Sequence, residues 1–141
     1  MIKTIPLAFL FVSSVAYSAD WKLVTTSNSG EEFFVDSETI TTDAQRGSAQ
    51  SWSKAIKRKN GGELIKSKAL VEYDCRNRKH RLLSLITYTY SPDGTVRTSS
   101  GKEDYNFRHV APNTIAESIM LYSCKVSRLI DAYDEAQKYK K

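Results

Sequence analysis

The chain has 141 residues, a formal net charge of +5 at pH 7, 40% hydrophobic and 26% charged residues, and only two cysteines and two histidines. That is the size of one ordinary domain with a single core. The cysteines, Cys75 and Cys124, lie 49 positions apart, a spacing that fits no closed zinc site, which takes four ligands in close pairs, and the modest positive excess suits acidic partners or plain solubility.

Residues 1–19 read as a secretory leader: Lys3 gives the positive start, an apolar core follows, and small residues end it. Cleavage after Ser18 leaves Ala16 and Ser18 at the small-residue positions and is preferred to cleavage after Ala19. The apolar run is too short for a membrane span, which takes about 20 residues. No cysteine follows it, so no lipid anchor is expected. The domain proper is then residues 20–124, with 125–141 as a C-terminal helical extension, and it is expected outside the cytoplasm, in the periplasm or at the cell surface. There Cys75 and Cys124 have one internal pairing open to them. Closing a loop of about 50 residues is worth about 4 kcal/mol in the chain-entropy model.

Trp21 to Ser27 and Glu32 to Val35 are short strands, rich in aromatic and β-branched residues, with Asn28-Ser29-Gly30 turning between them. Asp36 to Ile40 reads as a turn or a single helical turn, and Thr41 to Gly47 as a loop. Ser48 to Arg58 alternates in part, with Trp52 and Ile56 on one face and Lys54 between them. Asn60-Gly61-Gly62 closes a hairpin, because Asn and Gly accept positive φ. In the strand from about Glu63 to Cys75, Ala69, Val71, Tyr73 and Cys75 form the apolar set, which puts Cys75 on the core face.

After the turn Arg76 to Lys79, His80 to Tyr90 is the strongest strand. Leu82, Ile86, Tyr88 and Tyr90 lie on one side and Leu83, Leu85, Thr87 and Thr89 on the other, a pattern expected of a central strand. Ser91-Pro92-Asp93-Gly94 is a tight turn, Thr95 to Ser100 returns, and Gly101 to Asn106 is a polar loop. Past Pro112 the period changes. Thr114 and Glu117 form a capping box that starts a helix. Its apolar residues fall in two sets, Ala116, Ile119, Met120 and Cys124, then Val126, Leu129, Ile130 and Tyr133, about a third of a turn apart. Either one long helix rolls across its support or it breaks near Cys124; a break is favoured. The pattern predicts an α+β fold: an antiparallel sheet of about six strands, a C-terminal helix on one face, and one disulfide between them.

The chain holds no His-Glu-x-x-His, Cys-x-x-Cys, Gly-x-Ser-x-Gly or phosphate-binding glycine loop. No catalytic residue, metal site or cofactor is expected. His80 sits among arginines that disfavour its protonated form, and the carboxylate pairs Glu31/Glu32 and Glu103/Asp104 read as solvated loop charge. One cluster rises above background: Arg76-Asn77-Arg78-Lys79-His80-Arg81, four positive charges on one turn. Arg76, Arg78, Lys79 and Arg81 are the candidate binding residues, suited to gripping the carboxylates, sulfates or phosphates of an acidic protein or polysaccharide partner. The alternative is a solvated turn whose charges discourage edge pairing. Lys54, Lys57, Arg58 and Lys59 add charge on the strand before. Nucleic acid is the weakest candidate, given export.

Trp21, the run Glu32-Phe33-Phe34-Val35-Asp36, Thr39-Ile40, Trp52-Ser53-Lys54, the strand ending in Cys75, Tyr88 to Gly94, and Ala111-Pro112-Asn113-Thr114 leading to Cys124 come in an order that resembles the bacterial surface-adhesin protein E family. The resemblance covers Trp21 to Cys124. It implies a small antiparallel sheet with a helix packed on it and tied by Cys75–Cys124. It also implies a Gram-negative outer-surface or periplasmic protein, a role in virulence, and binding to host matrix or serum proteins such as vitronectin and laminin. The chain departs from the pattern in lacking a lipidation cysteine, in carrying Ala111-Pro112 where Pro-Pro is usual, and in extending past the second cysteine. A non-enzymatic binding module is thus the leading expectation. A periplasmic structural or assembly partner, docking through its helical tail, is the alternative.

Overall fold

The computed structural model describes residues 18–140, so the expected leader lies, but for its last two residues, outside the described residues. The strands are β1 (Trp21–Thr26), β2 (Glu32–Asp36), β3 (Thr41–Asp43), β4 (Ser48–Lys59), β5 (Gly62–Asp74), β6 (Lys79–Tyr90), β7 (Val96–Gly101) and β8 (Arg108–His109). They form one antiparallel sheet in the order β1-β2-β4-β5-β6-β7, with β3 paired to β4 and β8 to β6. The six longer strands are the six the alternation predicts. β3 lies in the stretch expected to be a loop; with three residues it is too short to show a period. A single 3-10 turn, Ser37–Thr39, joins β2 to β3 and is capped by the Asp36 carboxylate. The buried Asp36 also accepts the backbone N–H of Asp20 at 2.9 Å, which ties down the start of the domain.

One helix, α1 (Ile115–Lys138), covers β1 to β4. It starts at Thr114, whose hydroxyl accepts the Glu117 N–H at 3.2 Å. Glu117 reaches back as the capping box predicts, but its carboxylate takes the N–H of Asn113 at 2.7 Å, not that of Thr114. The helix does not break near Cys124. Its buried stripe is Ile119, Met120, Ser123, Cys124 and Ser127, with Ala116 and Ile130 extending it. Two buried serines bridge what look like separate apolar sets, so one straight helix serves both. Leu129 and Tyr133, expected to face the sheet, point to solvent, 61% and 66% exposed. No helix among the described residues is long and apolar enough to cross a membrane.

The helix can lie close to the sheet because β4 offers it Ala49, Ser51, Ser53 and Ala55, all buried. The face carrying Trp52 and Lys54 is the opposite one. There the Lys54 ammonium lies 4.7 Å from the centre of the Trp21 ring and 5.2 Å from that of Phe34. Inside, Ser51 and Ser123 share a hydrogen bond of 2.8 Å between their hydroxyls. The Ser127 hydroxyl donates to Thr42 at 2.7 Å, and Thr42 donates to Asp131 at 2.9 Å. The buried hydroxyls of Ser51, Ser123 and Ser127 therefore each have a partner, as burial requires.

Three bulges curl the sheet. The ladder skips Val24 between β1 and β2, Lys66 between β4 and β5, and Leu83 between β5 and β6. An extra residue resets the two-residue period and sharpens the twist. Leu83 has a visible consequence: the register puts Leu82 opposite Val71 and Leu85 opposite Ala69, on the helix side, while Ile86 faces away with Lys68. Leu82 and Ile86, placed on one face by simple alternation, thus lie on opposite faces. The core itself is Val35, Ile40, Tyr73, Val110, Ile119, Met120 and Cys124, with Val71 and Cys75 packed against it. The disulfide Cys75–Cys124 is formed and pins the middle of α1 to the end of β5.

Candidate functional site

The basic turn lies between β5 and β6, one residue beyond the disulfide. Asp74 shapes it. One carboxylate oxygen accepts the N–H of Arg76 at 3.2 Å and of Asn77 at 3.0 Å, and the other accepts the Asn77 side-chain amide at 2.8 Å. These bonds, led by that of the Asn77 side chain, hold the Asp74 carboxyl below the usual carboxylate range. Arg78 closes the turn at φ 54, a left-handed conformation, and its carbonyl accepts the N–H of Val110 at 2.9 Å. The result is a rigid turn with Arg76, Asn77 and Arg78 exposed and Lys79 half-buried.

The four positive charges then divide. Arg81 makes a forked pair with the buried Glu72, at 2.7 and 2.6 Å, and its guanidinium stacks 4.7 Å from the Phe107 ring. It also donates to the Tyr105 carbonyl at 3.4 Å, so it fastens the 102–107 loop to the sheet. Arg78 pairs with Glu117, the helix-capping carboxylate. Arg76 lays its stem over Gly47, where a Cβ would come within 2.5 Å of the guanidinium Nε, and donates to the Ala44 carbonyl at 3.3 Å. The φ of 66 at position 47 favours glycine there. Arg76 and Lys79 form no ion pair among the described residues.

A charge outside the turn joins it. Arg128 and Arg76 line one cleft of about 350 Å³ beside the disulfide, with Asp131 at its edge. Arg128 is fixed there by donating to the Cys124 carbonyl at 3.1 Å. The signal was present in the sequence: Arg128 lies one helical turn past Cys124, so the pairing that brings Cys124 to Cys75 also brings Arg128 to Arg76.

His80 is half-buried beside the groove between β5 and the start of α1. Burial, and secondarily the charge of Arg108, push its pKa below the usual 6.5. The folded state therefore favours neutral imidazole, while the unfolded chain takes up a proton near 6.5. Stability contributed by His80 is present above that pH and is lost as pH falls through it towards the folded pKa. We expect thermal melts between pH 7.5 and 5 (a span set around the imidazole range) to show a decline in midpoint that His80→Gln removes. An unchanged slope in that variant would exclude His80 as its source.

Of the four carboxylates noted in the sequence as loop charge, three have neighbours: Glu32, which begins β2 and not a loop, lies 2.7 Å from Arg58, Asp104 lies 2.9 Å from Arg108, and Glu103 accepts the Tyr105 hydroxyl. Among the described residues no group of three or more His, Cys, Asp or Glu converges to hold a metal ion.

The class is defined by these features: a disulfide-pinned antiparallel sheet under one helix, with arginines held on a rigid turn at the surface. The family model for surface-adhesin protein E matches residues 21–125, and the chain belongs to that family. The match bears out the resemblance drawn from the order of motifs, and it ends one residue past Cys124, leaving the last part of α1 outside. No curated protein and no solved structure matches the chain.

Proposed function

We propose that the protein is an exported, non-enzymatic adhesin that binds acidic segments of host matrix or serum proteins through the turn carrying Arg76, Arg78 and Lys79, after loss of a leader over residues 1–19. The observation that carries this reading is the turn itself. Held by Asp74 on one side and by the disulfide on the other, it offers guanidinium groups with little conformational entropy left to lose on binding. Arg81 contributes by fastening the neighbouring loop through Glu72 and Phe107, and Arg128 adds a charge from the helix. Guanidinium forks match carboxylate geometry, which suits acidic protein segments. Membership of a family of surface adhesins supports the same direction.

The test is retention on immobilised laminin and vitronectin, for wild type and for the triple variant Arg76→Ser, Arg78→Ser and Lys79→Ser. Wild type is expected to elute with salt, since the Debye length falls from about 10 Å at 0.1 M to about 3 Å at 1 M. The variant is expected to elute earlier while melting at nearly the same temperature, because Arg76 and Arg78 lie exposed on the turn and Glu117 keeps its bond to the Asn113 N–H. Equal retention of both would refute the turn as the site. A second reading, a periplasmic assembly partner docked through the tail of α1, draws support from Leu129, Tyr133 and Tyr139, which are 61%, 66% and 81% exposed along that tail. Protease accessibility on intact cells separates the two readings, since only a surface protein is cut.

A further inference from the structure

About 30 Å along β5 from the basic turn, at the opposite end of that strand, the sheet divides. Pairing of β5 to β6 starts only at Ser67 opposite Thr87. Before that point residues 62–65 of β5 pair with β4 alone, Lys66 is the bulge residue, and residues 88–90 of β6 pair with β7 alone. The two hairpins splay and leave a cleft of about 660 Å³, lined by Lys57, Lys59, Leu64 and Lys66 on one side and by residues 87–90 on the other. Among the described residues one hydrogen bond crosses it, from the Tyr90 hydroxyl to the Ile65 carbonyl at 2.9 Å.

The cleft is also electrostatically one-sided. None of the three lysines has an ion-pair partner among the described residues, and no carboxylate lines the cleft. Arg58, between Lys57 and Lys59, is drawn away by alternation and pairs with Glu32 at 2.7 Å and Glu63 at 3.0 Å. The acidic residues nearby are thus committed to the other face.

We propose that this cleft is a second binding site, and that it takes an extended acidic peptide segment of a partner protein. Two facing strand edges offer backbone donors and acceptors at the pitch of a β-strand, which an extended peptide matches and completes. The lysines select carboxylates on that peptide. A sulfated polysaccharide could use the lysines but has no backbone to match the strand edges. The site does not depend on the turn reading above: the two lie at opposite ends of β5 and use different residues.

The experiment uses the purified protein and a labelled octapeptide of alternating Glu and Val, with its Lys/Val counterpart and a heparin hexasaccharide as comparison probes. The acidic peptide is expected to bind and the Lys peptide not. Lys57→Glu with Lys59→Glu and Lys66→Glu is expected to weaken binding about tenfold or more, and amide hydrogen exchange at residues 63–66 and 88–90 to slow when the peptide is bound. The turn variant is expected to bind the octapeptide as wild type does. Absence of binding, equal binding by the lysine variant, or binding without slower exchange at those amides would each overturn the proposal. Binding of the hexasaccharide alone would assign the lysines to a polysaccharide instead, and loss of peptide binding in the turn variant would move the peptide site to the turn.

Discussion

Replacing Cys75 and Cys124 together with serine is expected to destabilise the domain by about 2–5 kcal/mol, a large share of the 5–15 kcal/mol that holds a typical domain folded. The bridge joins residues 49 apart in sequence, and it does so at the place where α1 crosses the end of β5. The loop it closes contains all of β6, β7 and β8 and the start of the helix, so its loss frees much of the unfolded chain. Cys124 is buried among Met120, Tyr73 and Val110, which makes the serine hydroxyl an additional burden. Urea unfolding of the oxidised protein and of the double variant measures the difference, and the denaturant slope shows whether the unfolded state expanded. A loss below about 1 kcal/mol would mean that packing of Met120 and Ile119, not the bridge, secures the helix. Because Arg76 follows Cys75 directly, the double variant is also expected to loosen the basic turn, visible as faster amide exchange at residues 76–79.

Ser123→Leu is expected to be nearly as damaging. Ser123 has no solvent exposure and meets Ser51 of β4 hydroxyl to hydroxyl at 2.8 Å. A leucine there adds two heavy atoms where the helix lies against a stripe of alanines and serines. The helix must lift, at a cost of about 1–3 kcal/mol for overpacking. Ser51 is then left without its partner, at about 1–3 kcal/mol more. Ser123→Ala with Ser51→Ala removes the hydrogen bond without adding volume and is expected to cost less, the remaining cost being the buried Tyr73 hydroxyl, which also bonds Ser51. Thermal unfolding of the three proteins decides the matter. If the leucine variant melted like the double alanine variant, the close approach of helix and sheet would not be what the serines are for.

These two expectations rest on features of different legibility. The disulfide was readable, because a chain with two cysteines has one internal pairing and the alternation Ala69, Val71, Tyr73, Cys75 turns the first cysteine inward. The serine contact was not. Ser51, Ser123 and Ser127 look like polar surface to any hydrophobic pattern, and their burial is visible only once helix and sheet are together. The same blindness made α1 look broken: with Ser123 and Ser127 counted as core, the stripe from Ala116 to Ile130 is continuous. On β4 the large residues Trp52 and Ile56 lie on the face away from the helix, because the face that meets a helix closely must be small.

The candidate site divides in the same way. The charge density of Arg76 to Arg81, the turn that carries it, and the start of the helix at Thr114 are local, written in neighbouring residues. Which charges are free is not local. Arg81 finds Glu72 across a β ladder, and Arg78 finds Glu117 from 39 positions away. Lys57, Lys59 and Lys66 form one cleft only because β5 and β6 part company before Ser67. Strand periods, turn residues, capping and the cysteine pair follow from interactions within a few residues or from a count, and these belong to the chain alone. Face choice, bulge phase, helix continuity and charge pairing depend on contacts between distant segments, whose energies are settled only when those segments meet in three dimensions.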